Sequence, residues 1–195
     1  MTEFYIADTH FFHNNIIRYC NRPYASVEEM NEALIDNWNK TVQPNDTIRI
    51  VGDFAFGGKQ RLLEVMPRLN GNKILIHGNH DYYKKDFYLS AGFVDFKYND
   101  IVEDMFITHF PIYTDEDLKR DLGSRVSSDQ DYTLKSFAKM KEIFVATGLK
   151  KVIHGHIHEK IYFNKDVAHL NVGADRWNFT PITLEFIKEY FANLT

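Results

Sequence analysis

Five short apolar runs, each ending abruptly in Asp, His, Asn or Gly, organise this sequence. Phe4–Ala7 runs into Asp8, Thr47–Val51 into Gly52 and Asp53, and Lys73–Ile76 into His77, Gly78, Asn79 and His80. Met105–Thr108 runs into His109, and Lys151–Ile153 into the stretch from His154 to His158. Apolar runs this short, flanked by turn formers, suit buried strands. Helical patterns lie between them. Ser26 and Glu29 form a capping box, and Val27, Met30, Leu34 and Trp38 share one face of a helix ending near Thr41. Further helices are expected over Gln60–Leu69, Tyr82–Ala91 and Leu134–Thr147, the last stopped by Gly148, and Thr183 caps a final helix to Asn193. Alternating strands and helices predict an α/β fold with a site assembled along strand ends.

The second half reads differently. Phe93–Tyr98, Met105–Thr108 and Ile161–Val172 hold strands separated by turns, which predicts antiparallel pairing and a second sheet. Asp115–Asp131 is rich in charge, Ser and Gly, and is expected to be a long irregular loop, either a solvated insertion or a lid. With 195 residues, 44% of them hydrophobic, residues 1–195 can bury one core as a single domain.

Composition excludes some functions. The opening residues, MTEFYIADTH, lack a secretory pattern, and no apolar run is long enough to span a membrane. Cys20 is the only cysteine, so no intramolecular disulfide forms and a reducing, cytoplasmic setting is expected. A formal charge of −4 disfavours a broad grip on duplex nucleic acid but permits a small anionic substrate.

The polar clusters carry the chemistry. Asp8-Thr9-His10, Gly52-Asp53, Gly78-Asn79-His80-Asp81, His109 and His154-Gly155-His156-Ile157-His158 together supply carboxylate, amide and imidazole donors. Mixed nitrogen and oxygen donors suit Mn, Fe, Zn, Ni or Co better than calcium. In an extended segment residues two apart point the same way, so Asp8 with His10, and His156 with His158, can each aim two donors into one pocket. Asp, Asn and Gly also follow strands simply as turn formers, but turns do not require four histidines in addition. His77 and His154 are read as hydrogen-bonded residues at strand ends.

The ordered set DxH, GD, GNHD, H and GHxH, spanning Asp8 to His158, resembles the calcineurin-like metallophosphoesterases. DTHFFHNNII, NRPY and VEEMNEALIDNWN further resemble a compact bacterial and phage branch of predicted phosphoesterases. The resemblance implies two mixed β-sheets packed as a sandwich flanked by helices. It also implies two divalent transition-metal ions, manganese foremost, with Fe, Ni, Zn and Co as alternatives. Asp8, His10, Asp53 and His158 would hold one ion, and Asp53, Asn79, His109 and His156 the other, with Asp53 bridging. Hydroxide bound to this dinuclear centre would hydrolyse a small phosphodiester, such as a nucleotide or cyclic nucleotide. His80 would protonate the leaving oxygen, and Asp81 would orient His80 or support its turn. A phosphomonoesterase or a non-catalytic, metal-stabilised interaction module are the alternatives. FAFGGKQ after Asp53 lacks the arginine found there in Ser/Thr protein phosphatases, which disfavours that activity. Arg22 and His13 are candidate phosphate-gripping residues, Trp177 a candidate stacking surface, and Asn171 and Gly173 candidate pocket residues. The sequence leaves the oligomeric state open.

Overall fold

The computed structural model describes residues 1–114, 116–118 and 128–194, without the side chains of residues 128–133. Its first sheet has the order β4-β3-β2-β1-β9, formed by β1 (Glu3–Ile6), β2 (Thr47–Val51), β3 (Asn72–Ile76), β4 (Asp95–Lys97) and β9 (Ile182–Thr183). Strands β1 to β4 pair in parallel, and β9 runs antiparallel to β1. The second sheet, β5-β6-β7-β8, comprises β5 (Asp100–Val102), β6 (Met105–Ile107), β7 (Lys151–His154) and β8 (Ala168–Asn171). Only β5 is antiparallel to its neighbour there. Both sheets are therefore mixed, as expected, but the pairing in the second half differs from expectation. β4 joins the first sheet in parallel, and β8 is parallel to β7.

Alternation along each strand explains the layers. Phe4, Ile6, Ile48, Ile50 and Leu75 face one core, which is covered by α1 (Asn14–Tyr19), α2 (Val27–Thr41), α3 (Gly58–Val65) and α4 (Lys85–Ser90). Their neighbours Tyr5, Ala7, Val51 and Ile76 face the opposite way and meet Met105, Ile107, Ile153 and Leu170 of the second sheet. Phe106 and Val152 point outward from that sheet, against Phe137, Met140 and Phe144 of α5 (Ser128–Thr147). Trp38 of α2 is fully buried and its Nε1–H donates to the Asn70 carbonyl, so truncating it would cost about 3–5 kcal/mol.

Local chemistry sets the helix boundaries. Ser26 Oγ accepts from Glu29 N–H, while the Glu29 carboxylate reaches Ala25 N–H, one residue upstream of an ordinary capping box. Thr183 caps α6 (Leu184–Ala192) by accepting from Phe186 N–H. α3 stops at Val65 because Pro67 favours the tighter 3-10 turn Met66–Arg68. The expected loop over 115–131 lies largely outside the described residues; of its described part, 116–118 and 128–131 are helical. Among the described residues, no helix is long and apolar enough to cross a membrane.

Candidate metal centre

The chain ends of β1, β2, β3, β6 and β7 converge where the two sheets meet. Ala7, just past β1, forms a parallel bridge with Gly173, just past β8, and this pairing joins the two sheets beside the site. The loops there depart from extended geometry. Asp8, His10, Asp53, His156 and His158 have φ of 54°, 50°, 56°, 72° and 52°, so five of the seven expected ligands occupy the left-handed region. Such backbone costs roughly 1–3 kcal/mol per non-glycine residue and persists where surrounding contacts enforce it, commonly at functional sites. Donors two apart thus converge through tight turns, which corrects the expectation of extended segments. Gly155 makes room for this: a Cβ there would stand 2.6 Å from Asp8 Oδ2 and from Ala7 Cβ. Gly52, at φ +87°, would collide with the His109 ring if it carried a side chain.

Two donor sets result. Asp8, His10 and His158 offer ligand atoms within 4.8 Å of one another, and so do Asp53, His109 and His156. Asn79 stands beside the second set, its Oδ1 3.1 Å from His109 Nε2. Asp53 faces both sets, with Oδ2 3.7 Å from His10 Nε2 and 3.4 Å from His109 Nε2. These residues fit divalent ions, because Asp8 Oδ1 and His10 Nε2 are buried yet have no hydrogen-bond partner among the described residues. Electrostatics divide the set, some groups being held ready for a cation and others having to give up a proton to one. Burial lifts Asp8 to about 6 against the opposing pull of His109 and His158. Burial also opposes charge on Asp53 and His109, but their mutual attraction outweighs it, holding Asp53 well below the carboxylate range and raising His109 to about 9. His156 is held neutral by burial, at about 3, with its lone pair available to a cation.

The sequence profile of the calcineurin-like phosphoesterases matches residues 4–160. The chain belongs to this family. An uncharacterized protein of Methanocaldococcus jannaschii, MJ1445, is 31% identical over 189 residues, covering 93% of this chain and 86% of its own length. The Gene 66 protein of Mycobacterium phage L5 is 23% identical over 199 residues, covering 89% and 86%. The crystal structure of AQ665, a protein of unknown function from Aquifex aeolicus, superposes with a TM-score of 0.69 at 24% identity over 97% of this chain and 98% of that one. That likeness supports the fold of a calcineurin-like phosphoesterase, two mixed sheets with flanking helices.

Around the centre of this calcineurin-like phosphoesterase lies a cleft of about 460 Å³, lined among others by His10, His13, Tyr19, Phe56, His80 and His158. The His80 ring lies 5.6 Å from that of His10, its Nδ1 is 2.6 Å from the Tyr82 hydroxyl, and its backbone N–H donates to Asp53 Oδ1 at 2.8 Å. Asp81 is buried and accepts from the N–H groups of Gly78, Asp53 and Phe54 at 2.8, 2.9 and 3.1 Å. It ties the β2 and β3 loops together and shows no bond to the His80 ring. Of the two places expected for it, orienting His80 or supporting the turn, these contacts match the second, because its oxygens are spent on backbone amides.

Arg22 is held away from its expected role. Its side chain has no exposed surface, and its five N–H donors go to Asp175 twice, to the Asp8 and Thr9 carbonyls, and to Met30 Sδ. None is left to grip a phosphate. His13 does line the cleft, stacked 3.9 Å from Phe56, with Nδ1 3.4 Å from His10 Nδ1. Trp177 donates to the Asn171 carbonyl and packs on Phe186, so its indole serves the fold. Asn171 likewise ties the His158 and Lys160 carbonyls to Gly173 N–H. His154 bonds the Gly155 carbonyl through Nδ1, and His77 packs against Phe96 and Tyr98. The sequence reading passes over Phe56, Cys20, Tyr82 and Asp175. Only Tyr82, two residues after His80, has a signal of position.

Proposed function

We propose that this metal-dependent phosphoesterase hydrolyses a small phosphodiester, with nucleotides and cyclic nucleotides as the class to test, using two divalent transition-metal ions. The observation that carries the reading is Asp53, a single buried carboxylate facing both donor sets at 3.7 and 3.4 Å. Asp8, His10 and His158 would hold one ion with Asp53, and Asn79, His109 and His156 the other; the donor mixture favours manganese or a neighbouring transition metal. Ions bound there would polarise phosphoryl oxygens and lower the pKa of an attacking water.

The chain's own residues supply the rest. His80 Nδ1 lies 2.6 Å from the Tyr82 hydroxyl, a contact that orients the ring, and in its imidazolium form the ring can pass its Nε2 proton to a leaving oxygen and return to neutral imidazole. Burial lowers the His80 pKa, which makes the imidazolium the minor form near pH 7 but a readier proton donor once formed. Phe56, His13 and Tyr19 give the cleft an aromatic wall suited to a planar leaving group such as a nucleoside base. A cleft of about 460 Å³ fits a small ester better than a polymer.

The test is to strip the protein with a chelator, reload it with manganese, iron, nickel or zinc, and measure hydrolysis of nitrophenyl diesters and monoesters and a panel of nucleotides. Metal-restored turnover that prefers diesters supports the reading. Preference for monoesters moves the assignment to a phosphomonoesterase, and tight binding of two ions without any turnover favours the interaction module.

A further inference from the structure

Cys20, His158 and Asp175 form another donor set beside the centre, with one ligand atom of each within 4.8 Å of the others. Cys20 closes α1 and lines the cleft together with His158. Asp175 lies in the 3-10 turn Ala174–Arg176, with Oδ2 3.0 Å from His158 Nδ1. Arg22 holds both of its carboxylate oxygens, at 2.8 and 2.9 Å, which fixes the direction the carboxylate faces. Thiolate, imidazole and carboxylate with an open side toward a cleft is a three-ligand arrangement that zinc accepts readily. Manganese and magnesium, being harder, gain little from a thiolate.

We propose that Cys20, His158 and Asp175 form a second, inhibitory site for zinc or a similarly thiophilic divalent cation. His158 is the point of conflict, because it also belongs to the Asp8–His10 set. A neutral imidazole has one lone pair and serves one ion. With Nδ1–H donated to Asp175, that lone pair is on Nε2. A cation taking Nδ1 releases the Cys20 thiol proton to solvent and moves the ring proton to Nε2, so the Asp8–His10 set loses its third donor. The site itself does not depend on the proposed phosphodiester chemistry; the inhibition rests on the assignment of His158 to the catalytic centre.

The decisive measurement adds cobalt(II) to manganese-loaded protein and follows the near-ultraviolet absorption of thiolate-to-cobalt charge transfer. Cys20 is the only cysteine, so the signal has one source wherever else cobalt binds. The band should saturate, be removed by zinc and be absent from Cys20→Ser. Zinc should also slow reaction of Cys20 with an aromatic disulfide by roughly tenfold or more, since only the free thiolate attacks, while manganese leaves that rate nearly unchanged. No band in folded wild-type protein at saturating cobalt, or no protection by zinc, overturns the site. For inhibition, zinc should lower the turnover of manganese-loaded wild type by a much larger fraction than that of Cys20→Ser. Equal fractional inhibition overturns the competition for His158. If no phosphoester is turned over at all, the absorption and protection readings still decide the site.

Discussion

Arg22 and Asp175 are locked in a two-bond fork, Nε to Oδ1 at 2.8 Å and Nη2 to Oδ2 at 2.9 Å, and the same guanidinium holds the Asp8 and Thr9 carbonyls. One buried side chain thus ties the loop after β1 to the turn after β8. Arg22→Ala would strand the Asp175 carboxylate and two carbonyls without donors. Breaking a buried pair from one side costs about 3–5 kcal/mol. Arg22→Lys keeps the charge but not the fork, and should fall between wild type and Ala. Urea unfolding of metal-free protein measures both; a loss below about 1 kcal/mol for Arg22→Ala, the level of an exposed pair, would contradict the role.

Asp53 and His109 separate a shared ligand from a single one. Asp53→Ala should weaken binding of both ions, whereas His109→Ala should mainly weaken one. Elemental analysis after identical dialysis distinguishes them. Two tightly held ions in Asp53→Ala would refute the bridging assignment.

His80 lies beside the donor sets and belongs to neither of them. His80→Asn should keep the fold and the bound ions while lowering kcat by about 10²–10⁴ on esters with poor leaving groups, the range for general acid catalysis. Activated leaving groups such as nitrophenolate need less protonation, so the defect should shrink there. A uniform defect across leaving groups, with metal content intact, points instead to phosphate positioning. Loss of a metal would move His80 into the ligand shell.

His169 makes stability depend on pH. It is 8% exposed, neither ring nitrogen has a hydrogen-bond partner among the described residues, and burial pushes its pKa down to about 3. The unfolded chain, with a histidine pKa of about 6.5, takes up the proton first as pH falls. The folded state therefore has the full benefit above about pH 6.5 and loses it progressively toward pH 3, by at most about 1.4 kcal/mol per pH unit. His169→Phe should flatten that part of the curve. Parallel stability curves for the two proteins between about pH 4 and 6.5 would show that His169 is not held neutral.

Much of this fold is legible because buried strands must be apolar and their ends must be polar. β2 has the bounds its apolar run implies, and β1, β3, β6 and β7 shift by a residue at one or both ends. Strand direction is harder to read. Helix α4 between β3 and β4 makes a crossover and hence a parallel pair, a signal the short turns around Phe93–Tyr98 obscure. α1 has six residues and buries Ile16 alone, too little for a periodic pattern. The donor residues are visible in sequence because carboxylate and imidazole chemistry is rare at so many strand ends. The pairing of Arg22 with Asp175 is not, since they lie 153 positions apart and only the folded chain makes them partners.

The junction of the sheets also bears on how the protein folds. His156 N–H donates to Asp8 Oδ2 across 148 positions, so neither half of the chain alone carries a complete cation site. Loop closure over such a span is slow, and an ion can recognise only chains in which both sheets have already docked. Metal binding would then act as a latch on the finished molecule. At a hundredfold excess over Kd it would add about 2.7 kcal/mol of stability. A contact absent from the folding transition state appears as slower unfolding and leaves the folding rate alone, so the metal-loaded protein should outlast the stripped one under proteolysis even where both fold equally fast.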